Sequence, residues 1–289
     1  LKVGEAIAFG AATIINAMAT GKGAAFGVNL WTKAKVTLKK DESIKVKILP
    51  DVNENPILAK KVIEKMFKKF NIKNLGANVE TTSNIPIARG LKSSSAAANA
   101  IALAASAALG EKLTDLELIN LGVEAALEAK VTITGAFDDA CASYFGNIII
   151  TDNIKREIEA FYALNKDYKV LIYVPKEKSY TAAVNLDKIK KLAPLVECAY
   201  KEALKGSFWE AMTLNGLIYS AALGYSSELA MKALLHGAVA AGLSGKGPAF
   251  AAVASEDVIE DVSKAWRKYK GELIKAKINK KKAFIIDEP

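Results

Sequence analysis

Apolar and polar positions change period several times along the chain, and each change marks an element. Glu5–Asn16 and Ala24–Leu38, rich in Ile, Val, Phe and Thr, read as two strands around the turn Ala19-Thr20-Gly21-Lys22-Gly23. Ser43–Leu49 reads as a third strand. Over Pro56–Phe70, Ile63, Phe67 and Phe70 recur at i, i+4 and i+7 with lysines between them, which predicts an amphipathic helix. Asn78–Ser83 reads as a strand and Ala96–Leu109 as an alanine-dominated helix. Thr114 and Glu117 form a capping box ahead of Leu118, Leu121 and Ala125, predicting a helix that reaches Glu128. Further on, Asn147–Thr151 and Lys169–Val174 read as strands. Asp187–Leu204, Ser207–Leu223, Ser226–His236 and Val258–Tyr269 read as helices. An apolar strand ends Ala240–Ala254, and Ala276–Ile286 closes the chain as a strand.

Strands and helices mixed without regular alternation predict an α+β fold. Glycine-rich motifs give way to a charged stretch over Thr151–Ala160, which places a boundary between two units, 1–155 and 156–289.

Composition narrows the class. Of 289 residues, 51% are hydrophobic and 25% charged, the balance of a chain with a sizeable core. Ala96–Leu109 is the closest approach to a membrane span and is too short and too alanine-rich to be one. Leu1–Asn29 is apolar and glycine-rich but has neither a basic start nor a clear cleavage site, so a cytoplasmic address is expected. Cys141 and Cys198 make neither a disulfide framework nor a zinc pattern. A net charge of +9 suits nucleic acid or small anions. The lysines are scattered, except for Lys275, Lys277, Lys280, Lys281 and Lys282, which read as the solvated face of a strand or turn. Trp31, Trp209 and Trp266 lie far apart and read as packing rather than as a base-stacking platform. No nucleic-acid partner and no membrane partner is expected.

Candidate chemistry concentrates in three places. Pro86-Ile87-Ala88-Arg89-Gly90-Leu91-Lys92-Ser93-Ser94-Ser95 leads into the alanine-rich helix. Pro86 ends the preceding strand, Gly90 lets the backbone bend, and the serines offer N-cap oxygens. The open N–H groups of a helix start, with Arg89 and Lys92 ahead of them, form an anion site. The stretch reads as a phosphate-binding loop or as an ordinary capped helix start, and its spacing is not that of Gly-x-x-x-x-Gly-Lys-Ser/Thr. Gly242-Leu243-Ser244-Gly245-Lys246-Gly247-Pro248 is dense enough in glycine to bring backbone close to a ligand, or to make a tight turn. Asp138-Asp139 offers carboxylates for proton transfer, or caps for a helix Ala140–Tyr144. The single histidine, His236, reads as a helix C-cap, and Cys141 as buried packing.

Together these segments resemble the GHMP kinases (galactokinase, homoserine, mevalonate and phosphomevalonate kinases). Pro86-x-x-x-Gly90-Leu91-Lys92-Ser93-Ser94-Ser95-Ala96 is similar to their Pro-x-x-x-Gly-Leu-Gly-Ser-Ser-Ala-Ala loop, and Gly242–Pro248 to their C-terminal glycine motif. Gly4–Leu30 resembles their N-terminal motif. Gly135–Gly146 resembles a block in which an aspartate precedes a glycine by seven positions, as Asp139 precedes Gly146. Lys92 stands where the loop usually has glycine. With Thr13-Ile14-Ile15-Asn16-Ala17 and the Gly21-Lys22-Gly23 turn, this variant resembles the archaeal-type shikimate kinase branch. Glu5 stands where mevalonate kinases carry a lysine, so the role of that lysine is not carried over.

The resemblance implies a two-domain fold, an S5-like N-terminal domain over 1–155 and a ferredoxin-like α+β domain over 156–289. It implies ATP- and Mg²⁺-dependent phosphorylation of a small alcohol, with shikimate as acceptor and homoserine or mevalonate as the alternatives. ATP contacts are then expected from Pro86, Arg89, Gly90, Leu91, Lys92, Ser93, Ser94, Ser95 and Ala96, and from Gly242, Ser244, Gly245, Lys246 and Gly247. Ser94 and Glu128, the latter eleven residues before Asp139, are the implied Mg²⁺ ligands. Asp139 is the expected base for the acceptor hydroxyl, with Asp138 as second choice. Lys22, Lys92 and Lys246 are the cations expected to offset phosphate charge or to bind an acceptor carboxylate.

Overall fold

A computed structural model describes residues 2–176 and 185–286. Its longest strand, β2 (Lys22–Lys39), organises a seven-stranded sheet. One edge of β2 pairs antiparallel with β1 (Val3–Ile15). The other edge is shared between two strands. Lys22–Phe26 pair with β5 (Ile148–Asp152), and Thr32–Lys39 pair with β4 (Gly76–Ser83). β3 (Ile44–Leu49) runs parallel to β4, and the crossover that parallel pairing requires is the amphipathic helix α1 (Ile57–Lys69).

The inner face of this sheet is built from small residues. Ala6 and Ala8 face inward, whereas Glu5 faces outward and pairs with Lys33 at 2.5 Å and Lys35 at 3.1 Å. α2 (Ser93–Leu109) lies against that inner face so closely that a Cβ on Gly4 would stand 2.1 Å from the Ala104 carbonyl oxygen. Alanines buried around most of α2 let α1, α3 (Asp115–Glu128) and α4 (Phe137–Phe145) pack on it, as expected of a helix apolar on nearly all sides. The Thr114/Glu117 capping box opens α3 as the sequence predicts.

β6 (Glu157–Tyr162) follows β5 as a hairpin. It begins inside the charged stretch in which the sequence places a boundary, and both hairpin strands belong to the large sheet. Its alternation of half-buried and exposed residues is that of an edge strand, a pattern that resembles a polar linker in sequence. The chain enters a second sheet at β7 (Lys169–Val174). Helices α5 (Leu186–Lys190), α6 (Ala193–Leu204), α7 (Phe208–Leu223) and α8 (Glu228–Leu235) then lead to β8 (Ala240–Leu243) and β9 (Phe250–Ala254). α9 (Ile259–Trp266) and β10 (Glu272–Lys277) complete the unit. The order β10-β7-β9-β8, antiparallel throughout, is that of the ferredoxin-like arrangement.

Two predicted elements are each divided. The helix expected over Asp187–Leu204 breaks at Lys191–Leu192, with Pro194 in the first turn of α6. The expected last strand is split between the sheets: β10 ends at Lys277, and β11 (Phe284–Ile285) returns to pair with β1. Between them, Lys280 and Lys282 pair with Asp167 and Asp115, as solvated lysines do.

Candidate active site

The start of α2 differs from the expected serine cap. Lys92 is the N-cap residue, with left-handed backbone (φ 64°, ψ 32°) and no capping side chain, and Ser93–Ser95 form the first turn. The first helical hydrogen bond joins Ala96 N–H to the Lys92 carbonyl at 3.0 Å. The amides of Ser93, Ser94 and Ser95 therefore precede the helical ladder, at the positive end of its dipole.

Two other segments are tied to this helix start. Gly90, at φ 86°, lies so near the loop after β8 that a Cβ there would be 2.1 Å from the Ser244 carbonyl oxygen. Ser244 Oγ donates to the Gly90 carbonyl at 2.8 Å and accepts from Thr13 N–H at 3.3 Å. Gly245 N–H donates to Thr13 Oγ1 at 2.9 Å, and Asn16 Nδ2 donates to the Gly245 carbonyl at 2.9 Å. Ala249 N–H reaches the Arg89 carbonyl at 3.1 Å. The end of β1, the loop before α2 and the second glycine loop are thus one hydrogen-bonded unit.

The acidic pair sits in the first turn of α4, another helix entered through left-handed residues, Gly135 and Ala136. Asp139 faces Lys92 with Oδ1 2.9 Å from Nζ, and both side chains are largely buried. Asp139 Oδ1 makes no aligned hydrogen bond, so the contact is a charge pairing. Asp138, more deeply buried at the same cleft, accepts at Oδ1 from Asn153 Nδ2 at 2.8 Å. Burial, and then the charge of Asp139, push the Asp138 carboxyl well above the usual carboxylate range. Lys246 is pushed down to about 8, first by burial and then by the charge of Lys92.

These segments line one cleft of about 480 Å³, in which Ser93–Ser95, Lys92, Asp138, Asp139, Gly90, Gly245, Lys246 and Gly247 converge. Its wall is completed by Thr13 and Asn16, by Glu54 and Asn55, and by the run from Lys130 to Ala136. Among the described residues, Ala88, Lys92, Lys130, Ala136 and Arg156 have positive φ and are neither glycine nor asparagine, and all but Arg156 line the cleft. Such backbone persists where the surroundings over-determine it, most often at functional sites.

Several expected contacts are not brought here. Glu128 is exposed at the end of α3 and paired with Lys65 at 2.7 Å, outside the cleft lining. Lys22 also lies outside it, with its ammonium 5.2 Å from the centre of the Tyr200 ring. Gly242 belongs to β8 and permits its close packing on α7, where an added Cβ would be 3.0 Å from the Gly216 Cα. Pro86, Arg89, Leu91 and Ala96 support the loop rather than line it. Leu91 and Ala96 are buried, and Arg89 donates from Nη2 to the Lys176 carbonyl. His236 caps α8 through Nδ1 and the Lys232 carbonyl at 2.8 Å, and Cys141 is buried, both as expected.

Thr13, Asn16 and Asn153 were not singled out as site residues. The signal for the first two is their place as the only polar side chains in the run Phe9–Ala17. Asn153 carries no such signal, because asparagine in a turn is ordinary.

The family model for the GHMP kinases N-terminal domain matches residues 58–147. The shikimate kinase of Methanosarcina mazei is 46% identical over 96% of this chain and 94% of its own length. This chain belongs to the GHMP kinases. The shikimate kinase of Pyrococcus furiosus, 44% identical over 90% of this chain and 93% of its own length, is a further relative. At the level of fold, the GHMP kinase architecture recurs in homoserine kinase from Cytophaga hutchinsonii. That structure superposes with a TM-score of 0.79 at 16% identity, covering 99% of this chain and 98% of the other. Mevalonate kinase from Methanococcus jannaschii superposes with a TM-score of 0.77 at 17% identity, over 95% and 98%. Among the described residues no helix is long and apolar enough to cross a membrane.

Proposed function

We propose that this GHMP kinase transfers the γ-phosphoryl group of ATP to a hydroxyl of shikimate, yielding shikimate 3-phosphate and ADP. The observation that carries the reading is the cleft itself, where an open helix N-terminus, a glycine loop and a Lys92–Asp139 pair face one space. Near-full-length identity to curated shikimate kinases supports the choice of acceptor.

In this reading the amides of Ser93–Ser95 and the Gly245–Gly247 backbone hold the phosphates, because donors fixed by the fold need no reorganisation as charge moves. Asp139 accepts the acceptor hydroxyl proton, the freed oxygen attacks the γ-phosphorus, and the bond to the ADP oxygen breaks. Lys92, between Asp139 and the helix start, offsets charge on the transferred group, and Lys246 adds a second cation. A Mg²⁺ ion held at the Ser94 hydroxyl would supply positive charge that offsets the phosphates. Among the described residues no three His, Cys, Asp or Glu side chains converge as a metal cage. The oxygen donors that do line the cleft, the Ser94 hydroxyl and the Asp139 carboxylate, whose Oδ1 makes no aligned hydrogen bond, would suit a hard ion such as Mg²⁺.

The test is turnover. Purified protein is incubated with ATP, Mg²⁺ and shikimate, homoserine or mevalonate, following ADP release and the mass of the product. Phosphorylation of shikimate alone is expected, and turnover of another alcohol without shikimate replaces the acceptor.

A further inference from the structure

Asp138, the buried carboxylate beside Asp139, has no part in the reaction as written. It occupies the second position of α4, enclosed between Gly23 of β2 and Asn153 in the turn after β5. Asn153 meets it twice: Nδ2 donates to Asp138 Oδ1 at 2.8 Å, and Oδ1 accepts the Asp138 backbone N–H at 3.1 Å. Thr151 Oγ1 donates to the same Asn153 oxygen at 2.7 Å, which sets the way the amide faces. The Asn153 backbone N–H donates to the Gly21 carbonyl at 2.9 Å, so the amide hangs from the frame of the large sheet. On the opposite side a Cβ on Gly23 would stand 2.4 Å from Asp138 Oδ2, so the contact exists only because Gly23 has no side chain.

The consequence for α4 is mechanical. Its N-cap residue, Ala136, has no side chain able to accept from the first-turn amides. Asn153 supplies that acceptor from a distant turn, and holds the side chain of the same residue. A residue gripped at both its N–H and its carboxylate cannot rotate, which fixes the backbone from which Asp139 projects.

Resting on the reading of Asp139 as the base, we propose that Asp138 and Asn153 form a positioning clamp that aims Asp139 at the acceptor hydroxyl. Asp138 itself takes no proton from the substrate. The charged and titratable groups around Asp138 are Asp139 and Cys141 on its own helix, Lys92 from the start of α2 and Tyr219 from α7. Its raised carboxyl would also suit a general base. Both aspartates line the cleft, and their partners separate them: Asp138 is 4% exposed with one oxygen held by Asn153, whereas Asp139 meets Lys92, the cation at the helix start.

Steady-state kinetics and ATP-analogue binding on the full chain test this. Asp138→Asn keeps an oxygen for Asn153 Nδ2 and is expected to lower kcat by about 3- to 10-fold. Asp138→Ala and Asn153→Ala release the clamp and are expected to lower kcat by about 100-fold, with the KM for ATP within about threefold. Thr151→Val removes only the hydroxyl that orients the amide. It is expected to shift kcat in the same direction by less, and it carries the test if Asn153→Ala does not fold. Asp139→Asn is expected to cost about 1,000-fold. Asp138→Asn as inactive as Asp139→Asn overturns the proposal, because the proton then belongs to Asp138. Asn153→Ala and Thr151→Val with unchanged kcat also overturn it, leaving a structural contact only. Activity retained in Asp139→Asn would instead overturn the reading on which the proposal rests.

Discussion

Lys92 Nζ lies 2.9 Å from Asp139 Oδ1, joining the left-handed N-cap of α2 to the first turn of α4. The pair sets a cation and a carboxylate side by side where the proposed reaction needs both. It also explains how this chain dispenses with a lysine at position 5. Glu5 is turned to the outer face of the sheet and satisfied there by Lys33 and Lys35, so in the proposed reaction the cation is supplied by Lys92 instead.

Replacing Lys92 separates its two burdens, charge and backbone strain. Lys92→Ala and Lys92→Gly are both expected to lower kcat by about 100-fold or more. Both leave Asp139 without its partner, at a cost of about 3 kcal/mol. The glycine variant relieves the positive φ, so it is expected to be the more stable of the two by about 1 kcal/mol in denaturant unfolding. Equal stability would mean that the left-handed backbone is not held in solution.

Gly90 and Gly110 both have positive φ but differ in surroundings. Gly110 has open space where a Cβ would stand, whereas Gly90 faces the Ser244 carbonyl. Gly110→Ala is expected to cost about 1 kcal/mol of backbone strain and to leave the KM for ATP unchanged. Gly90→Ala must push two loops apart and is expected to raise that KM at least about tenfold. Similar kinetics for the two variants would mean that contact between the loops is dispensable.

Lys246 gives the protein a pH signature. With its pKa depressed to about 8, the folded chain releases this proton before the unfolded chain does. Stability from this group alone therefore rises with pH from about 8 to the ordinary lysine value near 10.5. A polyanion bound beside it favours the charged form, so nucleotide binding is expected to take up a proton near pH 8 and to weaken at higher pH. Titration calorimetry in buffers of different ionisation enthalpy measures that uptake, which Lys246→Met should abolish.

Glu128 and Lys22 serve as internal controls. Glu128→Gln breaks only an exposed pair with Lys65, and its kcat, Mg²⁺ dependence and melting midpoint should match the parent. Lys22→Met keeps an apolar stem over Tyr200 and should likewise leave the KM for ATP in place. A strong loss of Mg²⁺ affinity in Glu128→Gln would return that residue to the metal site.

Local signals were legible wherever chemistry is confined to neighbouring residues. The Thr114/Glu117 box, the apolar stripe of α1 and the glycines at 90, 245 and 247 act over a few positions, so order along the chain suffices to read them. Direction was not legible. Spacing places Glu128 eleven residues before Asp139, but the end of α3 turns it toward Lys65, and Gly242 serves a helix contact rather than a ligand.

The sequence by itself determined the segments that carry chemistry and the family to which they belong, because motifs of consecutive residues survive without knowledge of what faces them. Only the tertiary structure decided which side chains share the cleft. Lys92 meets Asp139, Thr13 meets Gly245 and Asn153 grips Asp138. Each of those meetings depends on how two sheets and α2 pack, and packing distances between remote residues are not encoded in any local pattern.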